Sequence, residues 1–226
     1  MMITTDKVYD NKEWHYPYRE TDRLGGYDPY SASKAAAEIV ISSYRNSFFN
    51  TKDYDKHQKS VASARAGNVI GGGDWSKDRI IPDIIRALQA NEPITVRNPN
   101  AVRPWQHVLE PISGYLLLGA KMLENPTKYA DAWNFGPQLE DNLIVEKVVQ
   151  NAVNYWGYGN YEIPVLTEQP HEAGLLKLDI SKTINQLSWK PKYSAAQAIE
   201  KTIAWYKNFP TNSKDFTLQQ IKEYIA

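Results

Sequence analysis

Tyr30-Ser31-Ala32-Ser33-Lys34 sets a phenol and an ammonium one helical turn apart, shortly after Thr5-Asp6-Lys7 supplies a hydroxyl, a carboxyl and a second ammonium. Side chains four apart on a helix share a face, so Tyr30 and Lys34 point the same way if this stretch is helical. One short region then holds a phenolic base, its activating cation and a carboxyl acid. A glycine-rich strand-turn-helix fingerprint for a dinucleotide pyrophosphate neither precedes these residues nor follows them. The chain therefore reads as a fold without its front end.

Met1-Met2-Ile3-Thr4-Thr5 is short and apolar enough for a buried strand, which puts Asp6 and Lys7 at the strand's C-terminal end, where open α/β sheets place their ligands. From Ser31 to Phe49, Ala35, Ile39, Val40, Tyr44 and Phe48 recur at helical spacing and Asn50 closes the segment. Val61 to Ala66 reads as the next strand, followed by a glycine-rich loop, Asn68 to Gly73, where backbone can approach a ligand closely. Ile80 to Ala90 is an amphipathic helix with Pro82 in its first turn, and Ile94 to Arg97 a short strand. Further helices are expected over Pro111 to Leu123, Val145 to Trp156, Ala195 to Phe209 and Phe216 to Ile225, with a capped start at Asp179 to Lys182. Further strands are expected at Trp133 to Gly136 and Glu162 to Leu166. This alternation predicts an α/β fold: an incomplete Rossmann-like parallel sheet with a smaller C-terminal α/β substrate-binding region. Residues 1–75 would carry the chemistry, and 76–226 would mainly hold the ligand, interleaved with the first part.

Twenty-six basic and twenty-six acidic side chains cancel, so nothing draws the whole chain to nucleic acid or an anionic membrane, and any phosphate site must be local. Cysteine is absent, which removes disulfides, thiolate nucleophiles and cysteine metal sites. Together with the lack of a signal-like apolar stretch after Met1, this favours a reducing cytoplasm. Apolar runs such as Tyr115 to Ala120 are too short for a bilayer of about 30 Å. His57, His107 and His171 show no metal-ligand spacing, so no metal is expected. Seven tryptophans read as core and pocket walls rather than a nucleic-acid platform.

A tyrosine titrates near pH 10, and lowering that by about three units takes roughly 4 kcal/mol of preferential stabilisation, which an ammonium such as Lys34 and a helix N-terminus can share with a cationic ring. Asp6 is a candidate acid or, alternatively, the cap of the following turn. Lys7 is a candidate base if it sheds its proton, or a charge partner for Asp6 or a phosphate. Asn68, the glycine-rich backbone after it, Arg79 and Arg103 can supply donors and positive charge to a diphosphate.

Thr5-Asp6-Lys7-Val8-Tyr9 with Tyr27-Asp28-Pro29-Tyr30-Ser31-Ala32-Ser33-Lys34 resembles the extended short-chain dehydrogenase/reductase family, and within it the nucleotide-sugar 4,6-dehydratases. Most of those carry Asp-Glu where this chain has Asp6-Lys7. That departure resembles the branch acting on CDP-glucose, as do Tyr18-Arg19-Glu20, Arg45-Asn46-Ser47-Phe48-Phe49 and the run from Arg65 to Trp75. The resemblance covers nearly the whole chain. It implies NAD as cofactor, with Tyr30 and Lys34 at the nicotinamide ribose, and a nucleotide-sugar substrate, CDP-glucose. Thr5 would bind the sugar 4-hydroxyl, Tyr30 deprotonate it, Asp6 protonate the departing C6 hydroxyl and Lys7 take the C5 proton. Asn68 would contact the diphosphate. Arg103-Pro104-Trp105-Gln106-His107-Val108 is similar to the family's arginine-aromatic substrate segment, in which the arginine grips phosphate and His107 takes a usually aromatic position. His171-Glu172-Ala173 and Leu176 to Lys182 match the end of the substrate region without assigned contacts. The family further implies a cytoplasmic enzyme of deoxysugar and O-antigen biosynthesis and, for a complete chain, a homodimer through the helix bearing Tyr30 and Lys34. Its glycine-rich cofactor loop and acidic ribose ligand would lie before Met1, so this chain alone is expected to be inactive. Another dehydratase or epimerase sharing Tyr-x-x-x-Lys, and a non-catalytic nucleotide-sugar-binding fragment, are the alternatives.

Overall fold

In Ser63–Ala66 (β2) and Ala132–Phe135 (β7), one face carries polar or small side chains, Ser63, Arg65, Ala132 and Asn134, and the other apolar ones, as suits strands whose two faces meet different surroundings. Both join Met2–Thr5 (β1) in a parallel sheet of order β1-β2-β7. The computed structural model describes residues 1–164 and 174–226. Between these strands run Pro29–Ser47 (α1), the single turn Tyr54–His57 (α2), Asn68–Ile70 (β3), Ile80–Ala90 (α3), Ile94–Thr95 (β4), Val102–Arg103 (β5), Trp105–His107 (β6) and Leu109–Glu124 (α4). After β7 come Leu143–Ile144 (β8), Val145–Trp156 (α5), Tyr161–Glu162 (β9), Ser181–Leu187 (α6) and Ala195–Ile225 (α7). The α/β class with parallel strands is the one the sequence implies.

Register decides what each face of the sheet meets. Ile3 pairs with Ala64 and Ala64 with Trp133; one residue on, Thr4 pairs with Arg65 and Arg65 with Asn134. Parallel partners share a face. The face bearing Ala64 and Trp133 is apolar, and with Ala62 and Phe135 it packs on Leu118 of α4, Leu187 of α6 and Trp189. Gly114 makes the contact with α4 close, since a Cβ there would stand 2.3 Å from the Phe135 ring. The opposite face carries a buried polar network. Arg65 donates to Glu38 of α1 at 2.8 Å, to the Tyr9 hydroxyl at 3.0 Å and to the Glu20 carbonyl at 3.1 Å. Glu38 also accepts from Thr4 at 2.5 Å and Ser63 at 2.8 Å, and Tyr9 donates to Asn134 at 2.6 Å.

A second core lies away from that sheet. Ile81, Ile84, Ile85 and Leu88 are all buried, the i, i+3, i+4, i+7 stripe of an amphipathic helix, and they meet Val148, Val149 and Ala152 of α5 and Ile199 and Ile203 of α7. The glycine-rich stretch is tied to this core. A Cβ at Gly72 would fall 2.0 Å from the Trp205 ring, so α7 lies directly on that backbone.

Four expectations change in detail. Asn68–Ile70, expected within a loop, is a strand paired in parallel with β6, because a partner distant in sequence supplies its hydrogen bonds. The strand at Ile94 ends at Thr95 and pairs with Tyr161–Glu162, while Val165, Leu166 and His171-Glu172-Ala173 lie outside the described residues. Val102–Arg103 and Trp105–His107, on either side of Pro104 in the segment expected to hold substrate, are two short strands. The first strand, expected to be buried, exposes Met2 at 48% and Ile3 at 50%, because β1 is an edge of the sheet. The two C-terminal helices stand as expected: Ala195–Ile225 is two helices that meet at a kink, where Asn212 leaves helical backbone close to Pro210.

Gly114→Ala is expected to cost about 1–3 kcal/mol by overpacking, and Phe135→Leu added to it should recover part of that loss; urea unfolding of the three variants measures both.

Candidate active site

Thr5 ends β1, and its hydroxyl accepts from the Lys7 backbone N–H at 3.3 Å while donating to Asp6 at 3.0 Å. Thr5, not Asp6, therefore caps the turn Asp6–Val8. Asp6 is left with a different character. It is 2% exposed, its second carboxyl oxygen has no hydrogen-bond partner among the described residues, and burial pushes it up to about 6. The Thr5 hydrogen bond and the charges of Lys7 and Arg103 pull the other way and do not cancel the desolvation.

The helix that bears the phenol abuts this turn. Asp28 caps α1 by accepting from the Ser31 backbone at 3.0 Å and its hydroxyl at 2.5 Å, and Pro29 fits the first turn, where no N–H is needed. Gly26 lets the preceding loop lie on this N-terminus, since a Cβ there would come within 2.2 Å of the Ala32 nitrogen. Tyr30 is 51% exposed, and the Lys34 ammonium stands 5.7 Å from its ring centroid. The charge of Lys7 is felt by both Asp6 and Asp28, so the two halves of the sequence pattern, Thr5-Asp6-Lys7 and Tyr30/Lys34, meet at the C-terminal end of β1.

Arg103 joins them. It is 3% exposed on β5, donates to the Val102 carbonyl at 2.9 Å, and its charge reaches Asp6. Asn68 is half-buried two residues after β2, paired with Trp105. Arg79 and His107 take other surroundings. Arg79 is exposed at the start of α3, where its charge bears on Asp74. His107 is buried with its ring edge toward Tyr193 of the segment before α7, at 5.8 Å between centroids. Burial and then Lys201 push His107 down to about 4, so its imidazole is neutral near pH 7. Its Nδ1 accepts from Leu109, and its Nε2 is unpartnered among the described residues.

An open depression of about 500 Å³ beside α3, lined by Asp83, Arg86, Ile94 and Arg97 among others, includes none of these nine residues. The titratable groups converge at the end of β1 instead, and acid-base chemistry needs such groups within reach of one substrate. Among the described residues no three His, Asp or Glu gather as a metal would require. Spacing did not single out Tyr9, Glu38, Arg65 and Asn134. The available signal was an arginine set between alanines in a strand that is otherwise small and buried.

Comparison with known proteins bears on the same region. Residues 1–202 match the family described as GDP-mannose 4,6 dehydratase. The CDP-glucose 4,6-dehydratase of Salmonella typhimurium (strain LT2) is 49% identical over 205 residues, covering 91% of this chain and 57% of that protein. The dTDP-D-glucose 4,6-dehydratase of Mus musculus is 24% identical, over 92% and 55%. The chain thus spans somewhat more than half the length of the curated relatives it matches. Among solved structures, dTDP-glucose 4,6-dehydratase from Bacillus anthracis in complex with NAD aligns at TM-score 0.74 and 21% identity, over 95% of this chain and 63% of that one. The UDP-glucuronic acid 4-epimerase of Bacillus cereus in complex with UDP-glucuronic acid and NAD aligns at 0.73 and 18%, over 92% and 60%. At such identities the likeness is one of fold, the Rossmann type shared by dehydratases and epimerases. The match along residues 1–202 settles the relationship: this chain belongs to the GDP-mannose 4,6 dehydratase family.

Proposed function

We propose that this chain carries the acid-base chemistry of an NAD-dependent nucleotide-sugar 4,6-dehydratase whose substrate is CDP-glucose. One observation carries the reading: a buried carboxyl, Asp6, with one oxygen unpartnered among the described residues, sits against the helix that presents Tyr30 and Lys34. The choice of CDP-glucose rests on the 49% identical relative, since relatives named for dTDP-glucose stand at 24%.

NAD fits the residues present, because Tyr30 and Lys34 offer an exposed hydroxyl and an ammonium at a helix N-terminus, donors suited to a ribose. When bound, NAD supplies a reversible two-electron oxidation at C4 of the sugar, returned at C6. Tyr30 takes the proton from O4, steadied by Lys34 and by the positive end of α1. The resulting ketone acidifies the C5 hydrogen. Lys7 is the group we assign to remove it. Asp6 gives its proton to the C6 hydroxyl, which leaves as water, and burial is what keeps a carboxyl able to donate above the usual carboxylate range. The product is a 4-keto-6-deoxy sugar still attached to CDP.

Thr5 receives the sugar 4-hydroxyl, while Arg103 and Asn68 hold the diphosphate from β5 and β3. Arg79 reaches the nucleotide from the start of α3, and neutral His107 contributes shape rather than charge to the wall. An epimerase expels no hydroxyl and leaves Asp6 without work, which favours the dehydratase. Exposed Ile39, Val40, Tyr44 and Phe48 support pairing of two copies along α1. No helix among the described residues is long and apolar enough to cross a membrane, in keeping with a cytoplasmic step of deoxysugar and O-antigen synthesis.

With activity assayed on the protein extended to the length of its relatives, Tyr30→Phe should lower dehydration by roughly 10²–10⁴-fold and leave CDP-glucose affinity within a few-fold by calorimetry; unaltered turnover rejects the proton-acceptor role. CDP-glucose should bind more tightly and form 4-keto product faster than dTDP-glucose or GDP-mannose, and parity among the three overturns the substrate assignment. For Asp6 the folded value lies above the unfolded one, so its contribution to stability is greatest below about pH 4 and falls as pH rises through about 6. Ionising it at pH 7 costs on the order of 3 kcal/mol. Asp6→Asn should therefore flatten that slope and raise stability at pH 7 by about 1–3 kcal/mol while abolishing dehydration, as urea unfolding at pH 4 and pH 7 and product assays report.

A further inference from the structure

The ion pair between Glu38 and Arg65 is buried, at 2% and 3% exposure, and neither side chain is placed to touch a substrate. Its bonds have a pattern that stability alone does not require. Tyr30, Lys34 and Glu38 fall at i, i+4 and i+8 of α1, one continuous stripe. The stripe runs from a half-exposed phenol down to a carboxylate locked into the sheet. There Glu38 accepts from Thr4, the residue before Thr5, and from Ser63 and Arg65 of the neighbouring strand. Arg65 in turn donates to the hydroxyl of Tyr9, which closes the turn Asp6–Val8, and to the Glu20 carbonyl. A single pair thus grips the segment Thr5-Asp6-Lys7 from both sides, through Thr4 and through Tyr9, and grips the helix bearing Tyr30 at the same point.

We propose that Glu38 and Arg65 are positioning residues that set the rotation of α1 and the placement of the Asp6 turn together, so that Tyr30 and Asp6 meet one bound sugar in register. This rests on the dehydratase reading for its consequence in turnover, but the geometric claim stands apart from the identity of the substrate. A helix held only by apolar contacts can turn or slide by a fraction of a residue at small cost. Charge-assisted hydrogen bonds with fixed directions do not allow it. Burial holds the Glu38 carboxyl up, yet the hydrogen bond and charge of Arg65, with Thr4 and Ser63, bring it below its ordinary value, so the pair is ionised at neutral pH and keeps its directional grip. A well-packed apolar pair in the same place would be about as stable. What it would lack is the fixed angle.

The test uses Glu38→Gln and Arg65→Lys, with Leu118→Ala as a variant that loses stability from the opposite face of the sheet. Carbon-13 titration of the Asp6 carboxyl reads the turn directly, whether or not CDP-glucose is the substrate. In the unaltered chain the midpoint is expected near the value of about 6 that burial gives it among Thr5, Lys7 and Arg103. Glu38→Gln should move it by a unit or more toward the ordinary 3.8, as the turn opens to water, and Leu118→Ala should not move it. In turnover, Glu38→Gln should lower kcat roughly 10- to 100-fold with KM within about two-fold, because misplacement by an ångström costs about that much. Arg65→Lys, which keeps the charge but not the fork, should lower kcat less than Glu38→Gln. If Glu38→Gln and Leu118→Ala behave alike, with an unmoved Asp6 midpoint and unchanged kcat in the folded protein, the pair is structural only and the inference fails. A moved midpoint without dehydration of any nucleotide sugar by the protein extended to the length of its relatives would uphold the positioning and sink the dehydratase instead.

Discussion

A guanidinium with almost no access to water governs this structure. Arg65 draws its partners from inside the protein, its Nε alone of the guanidinium nitrogens having none among the described residues, and removing one partner of a buried ion pair costs about 3–5 kcal/mol. Its partners come from four places: α1, the exit of the Asp6 turn, the loop at Glu20 and, through Glu38 and Tyr9, the strands β1 and β7. The polar face of the sheet is therefore specified by directional bonds. The apolar face, where Leu118, Trp133, Phe135 and Trp189 interlock, is specified by volume.

These two kinds of packing divide the labour of the chain. Volume packing recurs in the core of α3, α5 and α7, which fixes the glycine-rich backbone at Gly72 beneath Trp205. Bond-directed packing lies under Thr5-Asp6-Lys7 and the helix bearing Tyr30, and leaves Asp6 dry with one oxygen unpartnered among the described residues. A carboxyl in that state is unstable as an ion, so burial keeps Asp6 undissociated to a higher pH than an ordinary aspartate.

Much of this was legible in the residues because the signals were local. The amphipathic pattern from Ile80 to Ala90 announced α3, and helical spacing from Ser31 to Phe49 announced α1, which begins two residues earlier at Pro29 because Asp28 caps it. The pairing of Thr5-Asp6-Lys7 with Tyr30 and Lys34 followed from placing a strand end beside a helix start. What stayed hidden depends on distant partners. β3 with β6, and β5 with β8, are pairs of two or three residues that exist only because the rest of the fold brings them together. Arg103-Pro104-Trp105-Gln106-His107 read as one binding segment, yet it is two strands split at Pro104, so Arg103 reaches Asp6 while His107 turns to Tyr193 and Lys201. Glu38 and Arg65 are twenty-seven residues apart and share no period; only a lone charge among alanines marked them.

Thr5 carries a consequence of its own. A hydroxyl has one hydrogen to give and two lone pairs to fill, and here the hydrogen goes to Asp6 while one lone pair takes the Lys7 N–H. While the aspartate is an anion, then, Thr5 can greet a third group only as an acceptor. Once the aspartate gains a proton it can donate back, and the threonine's own hydrogen is released to point outward. The polarity that Thr5 presents to a visiting oxygen is thus dictated by the charge next door, making two neighbouring side chains a single two-position dipole.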